Sequence, residues 1–517
     1  MLVNKSVKLL VIFIFILFLL SVFNCNKRKS GNIQISKSNE KQPNIIIIYM
    51  DDLGYGDTSC YGAKDLITSN IDKLAEGGIR FTRGYSTSAT CTPSRYALLT
   101  GIYPWKKENV DVLQGTAPLL INTQQITLPK MLKSSGYQTG IVGKWHLGLG
   151  TGNLNWNDTI SPGPNEVGFD YSYILAATQD RVPTVYIKNG LVDNLDPEDP
   201  IFVNYEENFS SEPTGLTNPE LLKMNWHHGH NNSIVNGIPR IGFMKGGATA
   251  KWIDEAMAYK FLEEAKSFVV KNKKSPFFLY YSMQQPHVPR TPAPEFVGRS
   301  GLGPRGDVIL EADWCIGELY KTLQEEKLLE NTLIIFSSDN GPVLNDGYYD
   351  EAVEKKGNHK PQGVLRGGKY SLFEAGTRVP FIVYWKDHID PGVSDAIVCQ
   401  IDLLASLAKL VGYNKIPNTD SVEMMKTLMG ETLNGRDNLI IESMSRTALV
   451  QKDWVLIPPN SGEKIIENVN IESGFDSEYQ LYNIKNDIQQ SKNINDLTQI
   501  KRLNKIYESI RFRDSSR

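Results

Sequence analysis

Five polar clusters in this chain carry residue types that could do chemistry: Asp51-Asp52, Cys91-Thr-Pro-Ser-Arg95, Lys144-Trp-His146, His287 and Asp339-Asn340. Cys91 stands among Thr, Ser and Arg, outside any apolar stripe, where the pattern reads as a helix start. Asp51, Asp52, Asp339 and Asn340 all offer oxygen, a donor set that suits a hard cation and does not suit zinc. Calcium is the first expectation and magnesium the alternative. Each cluster taken alone also has a plainer reading. Asp-Asp after a strand and Asp-Asn-Gly are common turns, and a lone His146 or His287 is more often a structural histidine.

The elements that must hold these residues decide between the readings. Asn44–Met50 is a continuous apolar run, the signature of a strand covered on both faces, and it ends in Asp51-Asp52. A helix follows, starting at Thr68 or Ser69, with Ile71, Leu74 and Ala75 as its apolar face and Gly77-Gly78 as its stop. The pattern recurs: a helix over 128–135, a strand over 137–142, then Gly143-Lys144-Trp145-His146. A long helix after Lys251 precedes a strand over 277–281 that runs out to His287, and a helix from Val308 precedes a strand over 332–336 that runs out to Asp339-Asn340. Alternating helices and apolar strands predict an α/β fold with a mostly parallel sheet sandwiched by helices. In such sheets ligands bind beyond the carboxyl ends of the strands, where four of the five clusters fall.

Composition narrows the function classes. The 517 residues carry 55 Lys plus Arg against 58 Asp plus Glu, a net charge of −3, so no basic field exists to hold nucleic acid. Lys5 and Lys8 precede an apolar run over 9–23 that, at about 1.5 Å per residue, is shorter than a bilayer core of about 30 Å. Residues 1–25 therefore read as a signal peptide, with a polar linker over 26–42. Asn24-Cys25 followed by Asn-Lys-Arg-Lys resembles a bacterial lipoprotein signal, so export to the periplasm or cell surface on a lipid anchor stands beside plain secretion and an uncleaved anchor. Cys60, Cys91, Cys315 and Cys399 are widely spaced with no CxxC, which argues against a zinc knuckle or a disulfide scaffold. Cys315 follows helical spacing with Ala312, Ile316, Leu319 and Leu323 and reads as core; Cys399 reads as a buried strand residue.

The segment Cys91-Thr-Pro-Ser-Arg95 followed by Leu-Leu-Thr-Gly101 resembles the signature of the type I sulfatases, in which an enzyme oxidises the cysteine to Cα-formylglycine. The likeness extends to Asp51-Asp52-Leu-Gly-Tyr-Gly-Asp57, Gly143-Lys144-Trp-His146-Leu-Gly148, Asp339-Asn340-Gly341, Gly367-Gly368-Lys369 with Glu374-Ala-Gly376-Thr-Arg378-Val-Pro380, and Gln480-Leu-Tyr-Asn-Ile-Lys-Asn486-Asp487. Ile102 departs from the pattern, where a basic residue is common. The resemblance implies an alkaline-phosphatase-like core over 43–432, a smaller C-terminal α+β subdomain over 433–517, and a formylglycine-generating maturation enzyme as a partner. It implies that Asp51, Asp52, Asp339, Asn340 and residue 91 hold the cation. Arg95 and Lys144 would hold the nucleophile and the sulfate oxygens, His146 would take a proton from the second hydroxyl, and His287 with Lys369 would stabilise the leaving oxygen.

The insertion over 150–247 carries Asp180-Arg181, Trp226-His227-His228-Gly-His230 and Arg240, and long insertions over an α/β core commonly carry specificity. Asp180, Arg181 and His228, with His359 and Arg366, are the candidate substrate contacts. A polar insertion suits hydroxyl-rich sugars better than a flat aryl group, so the expected substrate is a sulfated glycan, of galactan, glycosaminoglycan or mucin type. A phosphate or phosphonate ester hydrolase of the same superfamily is the alternative, and a sulfoglycan-binding protein with an unconverted Cys91 is a third reading.

Overall fold

The structure, a computed structural model, describes residues 42–416 and 419–512. The expected leader over 1–25 and nearly all of the polar linker over 26–42 lie outside the described residues. Among the described residues no helix is long and apolar enough to cross a membrane.

Every residue of Asn44–Met50 (β1) is buried, because its side chains alternate between two cores. Ile45, Ile47 and Tyr49 face one core, and Ile46, Ile48 and Met50 face the other. The first core includes Leu98 and Leu99 of helix Cys91–Thr100 and Leu128, Met131 and Leu132 of helix Leu128–Ser134. The second includes Ile71 and Leu74 of helix Ser69–Glu76, Phe261 and Ala265 of Met257–Asn272, and Ile309, Cys315 and Leu319 of Gly303–Glu325. Cys315 is thus a core residue, and Cys399, in the two-residue strand Val398–Cys399, is buried too.

The strands that matter to the site are Ile79–Phe81 (β2), Gln138–Lys144 (β3), Tyr171–Leu175 (β4), Phe277–Ser282 (β5), Thr332–Ser338 (β6) and Phe381–Tyr384 (β7). Five of the ten strands in the main sheet, in spatial order β6-β1-β5-β3-β4, are mutually parallel. β7 and β2 extend the β6 edge: β7 runs antiparallel to both β6 and β2, so the sheet is mixed but mostly parallel. The parallel register puts the carboxyl ends of β1, β3, β5 and β6 side by side: Tyr49 lies opposite Ser282 and Ser337, and Gly143 opposite Ser282.

Most boundaries shift by one or two residues from the sequence reading, and two of the differences bear on the site. β3 ends at Lys144, not Val142, so the lysine is itself a strand residue. The helix expected from Val308 starts at Gly303, with Pro304 in its first turn. Its first turns were hidden from an apolar pattern because Arg305 and Asp307 are buried by ion pairing and capping bonds, not by hydrophobicity.

After residue 433 the chain forms an antiparallel four-stranded sheet of Leu439–Ser443, Arg446–Gln451, Trp454–Ile457 and Gln480–Asn483, covered by helix Leu497–Arg511. Its apolar face shares one core with Tyr85, Ala97, Leu372 and Phe373. Glu442 N donates to Thr87 O at 2.9 Å, which ties this sheet to the turn just before Cys91.

Candidate active site

Cys91 is the first residue of a ten-residue helix, behind Thr90 in an extended conformation (φ −146°, ψ 150°). The free backbone N–H groups of that first turn put a partial positive charge beneath the cysteine. Arg95 follows four residues later and so shares the face of Cys91. Both are buried, at 1% and 0% exposure.

The strand ends converge on this helix face. From β1, Asp51 Oδ2 accepts from Lys144 Nζ at 2.6 Å, and its Oδ1 lies 3.8 Å from Arg95 Nη2. From β6, Asp339 Oδ2 accepts from Arg95 Nε at 3.0 Å and Nη2 at 2.7 Å. Arg95 Nη1 donates to Ser282 Oγ at the end of β5. Asp52 takes Lys369 Nζ at 2.9 Å and Asn340 Nδ2 at 2.6 Å. Lys369 also donates to Asp346 Oδ2 at 2.8 Å. Two of these residues, Asp52 and His146, have left-handed backbones, with φ of 63° and 53°, a strain that active-site turns commonly hold. At Gly143 (φ 113°) a Cβ would sit 1.8 Å from Ser282 O, so only glycine lets β3 press against β5 just before Lys144.

The histidines have assignable tautomers. His146 Nε2 lies 2.9 Å from Leu113 O, a carbonyl that can only accept, so Nε2 carries the hydrogen. Nδ1 is then bare and faces Cys91 Sγ at 3.3 Å. Burial, then Lys144 and Arg181, push the His146 pKa well below the ordinary imidazole value, which keeps it a neutral base. His287 Nδ1 donates to Val288 O at 2.7 Å, and its Nε2 sits 3.9 Å from Asp52 Oδ2. Burial, then Lys369 and Lys144, hold it neutral as well. Burial alone would depress Lys369, but Asp346 and Asp52 lift it well above the ordinary lysine value, so it stays charged.

The donor set fits a cation. Asp51 Oδ1 and Asn340 Oδ1 are buried with no hydrogen-bond partner. Asp51, Asp52 and His287 offer ligand atoms within 4.8 Å of one another. Four carboxylates, Asp51, Asp52, Asp339 and Asp346, face three cations, Arg95, Lys144 and Lys369, which leaves one net negative charge in a water-poor place. Burial and then Asp339 raise the Asp51 pKa well above the usual carboxylate range, the response expected of a cluster short of positive charge.

The insertion contributes Asp180, Arg181, His228 and His230. Asp180 is buried between Arg181 (Nη1, 3.0 Å) and His230 (Nε2, 2.9 Å), and the charge of Arg181 acts on both Cys91 and His146. His228 is half-buried, within the fields of His230 and Asp346. The structure does not bring His359 or Arg366 to this cluster. His359 Nε2 donates to Asp57 Oδ1 at 2.8 Å, beside the two bonds from Arg305 to the same carboxylate. Arg366 is bonded to Glu472 through Nε and Nη2 and to Gln490 O through Nη1, with Phe373 under its guanidinium. Both tie loops together, because a buried imidazole N–H or a stacked guanidinium takes the nearest carboxylate whatever motif it neighbours. Asp346 and Ser282 were missed, and His230, noticed in the histidine run of the insertion, was not taken as a site residue. The rule that flagged the other strand ends covers Ser282, and a buried Lys369 demands carboxylates such as Asp346. A cavity of about 590 Å³ runs along 342–354, walled also by His227, Gln362 and Glu472, and none of the cluster side chains lines it.

Comparison with known proteins agrees with this geometry. The family model described as Sulfatase matches residues 43–413. An N-acetylgalactosamine-6-O-sulfatase of Bacteroides thetaiotaomicron is 48% identical over 475 residues, 91% of this chain and 92% of that one. Human arylsulfatase A is 32% identical over 414 residues, 77% of this chain and 70% of its own. A solved structure from work on the metabolism of multiple glycosaminoglycans by Bacteroides thetaiotaomicron superposes with a TM-score of 0.90 at 47% identity, covering 91% of this chain and all of that one. The chain belongs to the sulfatase family and is a sulfuric ester hydrolase.

Proposed function

We propose that the protein hydrolyses O-sulfate esters of a carbohydrate, the 6-O-sulfate of an N-acetylgalactosamine unit being the first candidate, through a formylglycine made from Cys91 by a maturation enzyme. The observation that carries the reading is the Cys91–His146 pair, 3.3 Å apart with the bare Nδ1 turned to the sulfur, among the fixed cations Arg95, Lys144 and Lys369. The sugar assignment is supported by the relative that is 48% identical over 91% of the chain. Export is part of the proposal, supported by the apolar run over 9–23 behind Lys5 and Lys8, with Cys25 as the lipid-bearing residue of an anchored form.

Cys91 Sγ stands in for the oxygens of hydrated formylglycine. One hydroxyl attacks sulfur, passing its proton to the Asp51 and Asp339 carboxylates that act on residue 91, as the sulfur–oxygen bond to the sugar breaks, and the leaving oxygen takes a proton from the Lys369–His287 side of the pocket. Lys369 arrives with that proton; His287 supplies one from Nε2 after the substrate's negative charge has drawn a proton onto its ring. Sulfate is now esterified to residue 91. His146 Nδ1 then takes the proton of the second hydroxyl, the aldehyde re-forms as the bond between Cα-side carbon and sulfate oxygen breaks, and sulfate leaves. Water restores the diol. A serine in this position would keep its ester, since it has no second hydroxyl to expel sulfate. Asp51, Asp52, Asp339, Asn340 and the oxygen of residue 91 would hold calcium, which would supply Lewis acidity toward the nucleophile. A divalent ion would turn the cluster's net negative charge into a net positive one, matched to a sulfate monoester.

The test is a panel of defined sulfated saccharides, an aryl sulfate, and phosphate and phosphonate monoesters, assayed with converted enzyme. The proposal expects the highest kcat/KM on a saccharide sulfate. A higher value on a phosphate or phosphonate ester would replace it with the alternative hydrolase.

A further inference from the structure

We propose that His230 is a positioning residue for saccharide recognition, setting the Asp180–Arg181 pair against the sugar and joining the insertion to the segment that carries Asp346. This rests on the proposed saccharide substrate, with Arg181 taken as one of its contacts. His230 is not among the candidate contacts read from the sequence, yet it is buried at 6% exposure and bonded at both ends of its ring. Nε2 lies 2.9 Å from Asp180 Oδ2, and Nδ1 lies 2.7 Å from His228 O. Two bonds at opposite sides of a ring fix its plane as well as its place.

Asp180 is the hub of this arrangement. Its Oδ1 accepts from Thr178, both its oxygens lie 3.0 Å from Arg181 Nη1, and Oδ2 takes His230. Burial would raise the Asp180 pKa, but Arg181 and His230 bring it well below the usual carboxylate range, so the hub is a fixed anion. Arg181 spends only Nη1 on these contacts. Its Nε and Nη2 have no bond within the described residues, and its side chain keeps 16% exposure. An open guanidinium edge whose charge reaches Cys91 and His146 is a donor pair for hydroxyl oxygens of a sugar already engaged by the nucleophile.

An independent observation ties His230 to the catalytic side. Gly347 has φ 104°, and a Cβ there would lie 1.9 Å from His230 Nδ1 and 2.0 Å from Cε1. The missing side chain is the seat of the imidazole, with the Tyr348 ring 4.7 Å away. Gly347 follows Asp346, the partner of Lys369, and its carbonyl accepts from His227 N at 2.8 Å. His230 is therefore packed between the residue pair that would read the sugar and the loop that holds the leaving-group lysine. The pairs that handle sulfate, Arg95–Asp339 and Lys144–Asp51, do not involve it.

The test compares wild type, His230→Ala, His230→Gln and Gly347→Ala, each converted at residue 91, on one defined sulfated saccharide and one aryl sulfate, with melting temperatures. Losing a bond to a charged group raises KM for the saccharide about tenfold or more, with kcat within about twofold of wild type. Kinetics on the aryl sulfate stay unchanged in the two His230 variants. His230→Gln, which keeps a donor toward Asp180, recovers most of the loss, and Gly347→Ala, which unseats the ring, reproduces His230→Ala. Equal losses on both esters, an unchanged saccharide KM, or a glutamine variant no better than alanine would overturn the proposal. His230→Gln serves as the deciding variant if the alanine protein does not fold. A wild type inactive on every saccharide would overturn the proposed function, and this inference with it; an active wild type with unaffected variants would overturn this inference alone.

Discussion

Replacing His146 by alanine removes the bare Nδ1 that faces residue 91 and leaves the rest of the cluster bonded as before. A positioned general base is worth about a hundred- to ten-thousand-fold, or about 3–5 kcal/mol of barrier. His146 is buried against Cys91 with no other base placed at that atom, and a loss of about a thousandfold in kcat, the middle of that range, is expected. The loss falls on one step. Attack on sulfur does not need His146, but release of sulfate from residue 91 does. The variant should therefore stop after one turnover with a covalent sulfate on residue 91. Intact-protein mass spectrometry after quenching on the second scale would read one added SO3 group in most of the protein, alongside a burst of desulfated sugar matching the enzyme concentration. A slow variant with neither adduct nor burst would refute the assignment of His146 to sulfate release.

Removing the cation should lower turnover and melting temperature together, with calcium restoring both. A site filled at a hundred times its Kd stabilises the folded state by about 2.7 kcal/mol, and full activity in protein shown metal-free by elemental analysis would contradict it. Asp57→Ala should cost about 3–5 kcal/mol, because it strands the buried Arg305 and His359 without their shared carboxylate. His359→Ala should lower the melting temperature without changing the ratio of saccharide to aryl sulfate turnover; a selective loss on saccharide would return His359 to the pocket rim. Burial raises the carboxyl pKa of Glu442 to about 8 and of Glu311 to about 7, from 4.5 in each case. The folded protein holds these protons more tightly than the unfolded chain does, so their contribution is fully favourable below pH 4.5 and is lost as pH rises to about 8. Glu442→Gln should flatten that limb of the melting-temperature profile, and an unchanged slope would contradict the burial argument.

The parallel centre of the sheet was legible because strands buried on both faces must be apolar throughout, as Asn44–Met50 is, and because the polar residues ending them had one place to go. What a side chain does after leaving the backbone was legible only where a motif or a strand end fixed it. Lys144, at the end of β3, reaches Asp51 as its position requires. Arg366 sits next to Gly367 and His359 eight residues before it, and they turn to Glu472 and Asp57, since a buried donor finds its nearest carboxylate in three dimensions. His230 and Asp346 act across 50 and 23 residues of sequence, through loops with no periodicity to read. The strands Ile79–Phe81 and Phe381–Tyr384, which continue the sheet beyond β6, escaped a reading tuned to helix–strand alternation, because they pair antiparallel without an intervening crossover helix.

The central claim is that residue 91 acts as an aldehyde hydrate and not as a thiol. Burial pushes the Cys91 thiol pKa upward, against the pull of Lys144 and Lys369, so an unmodified thiol would be a poor nucleophile here. The most direct measurement is peptide mass spectrometry across residue 91 in fractions of the same preparation that differ in specific activity, produced with and without a maturation enzyme. The account predicts that activity tracks the fraction of formylglycine and falls to zero with it. Full activity from protein whose residue 91 is an unmodified cysteine would contradict it.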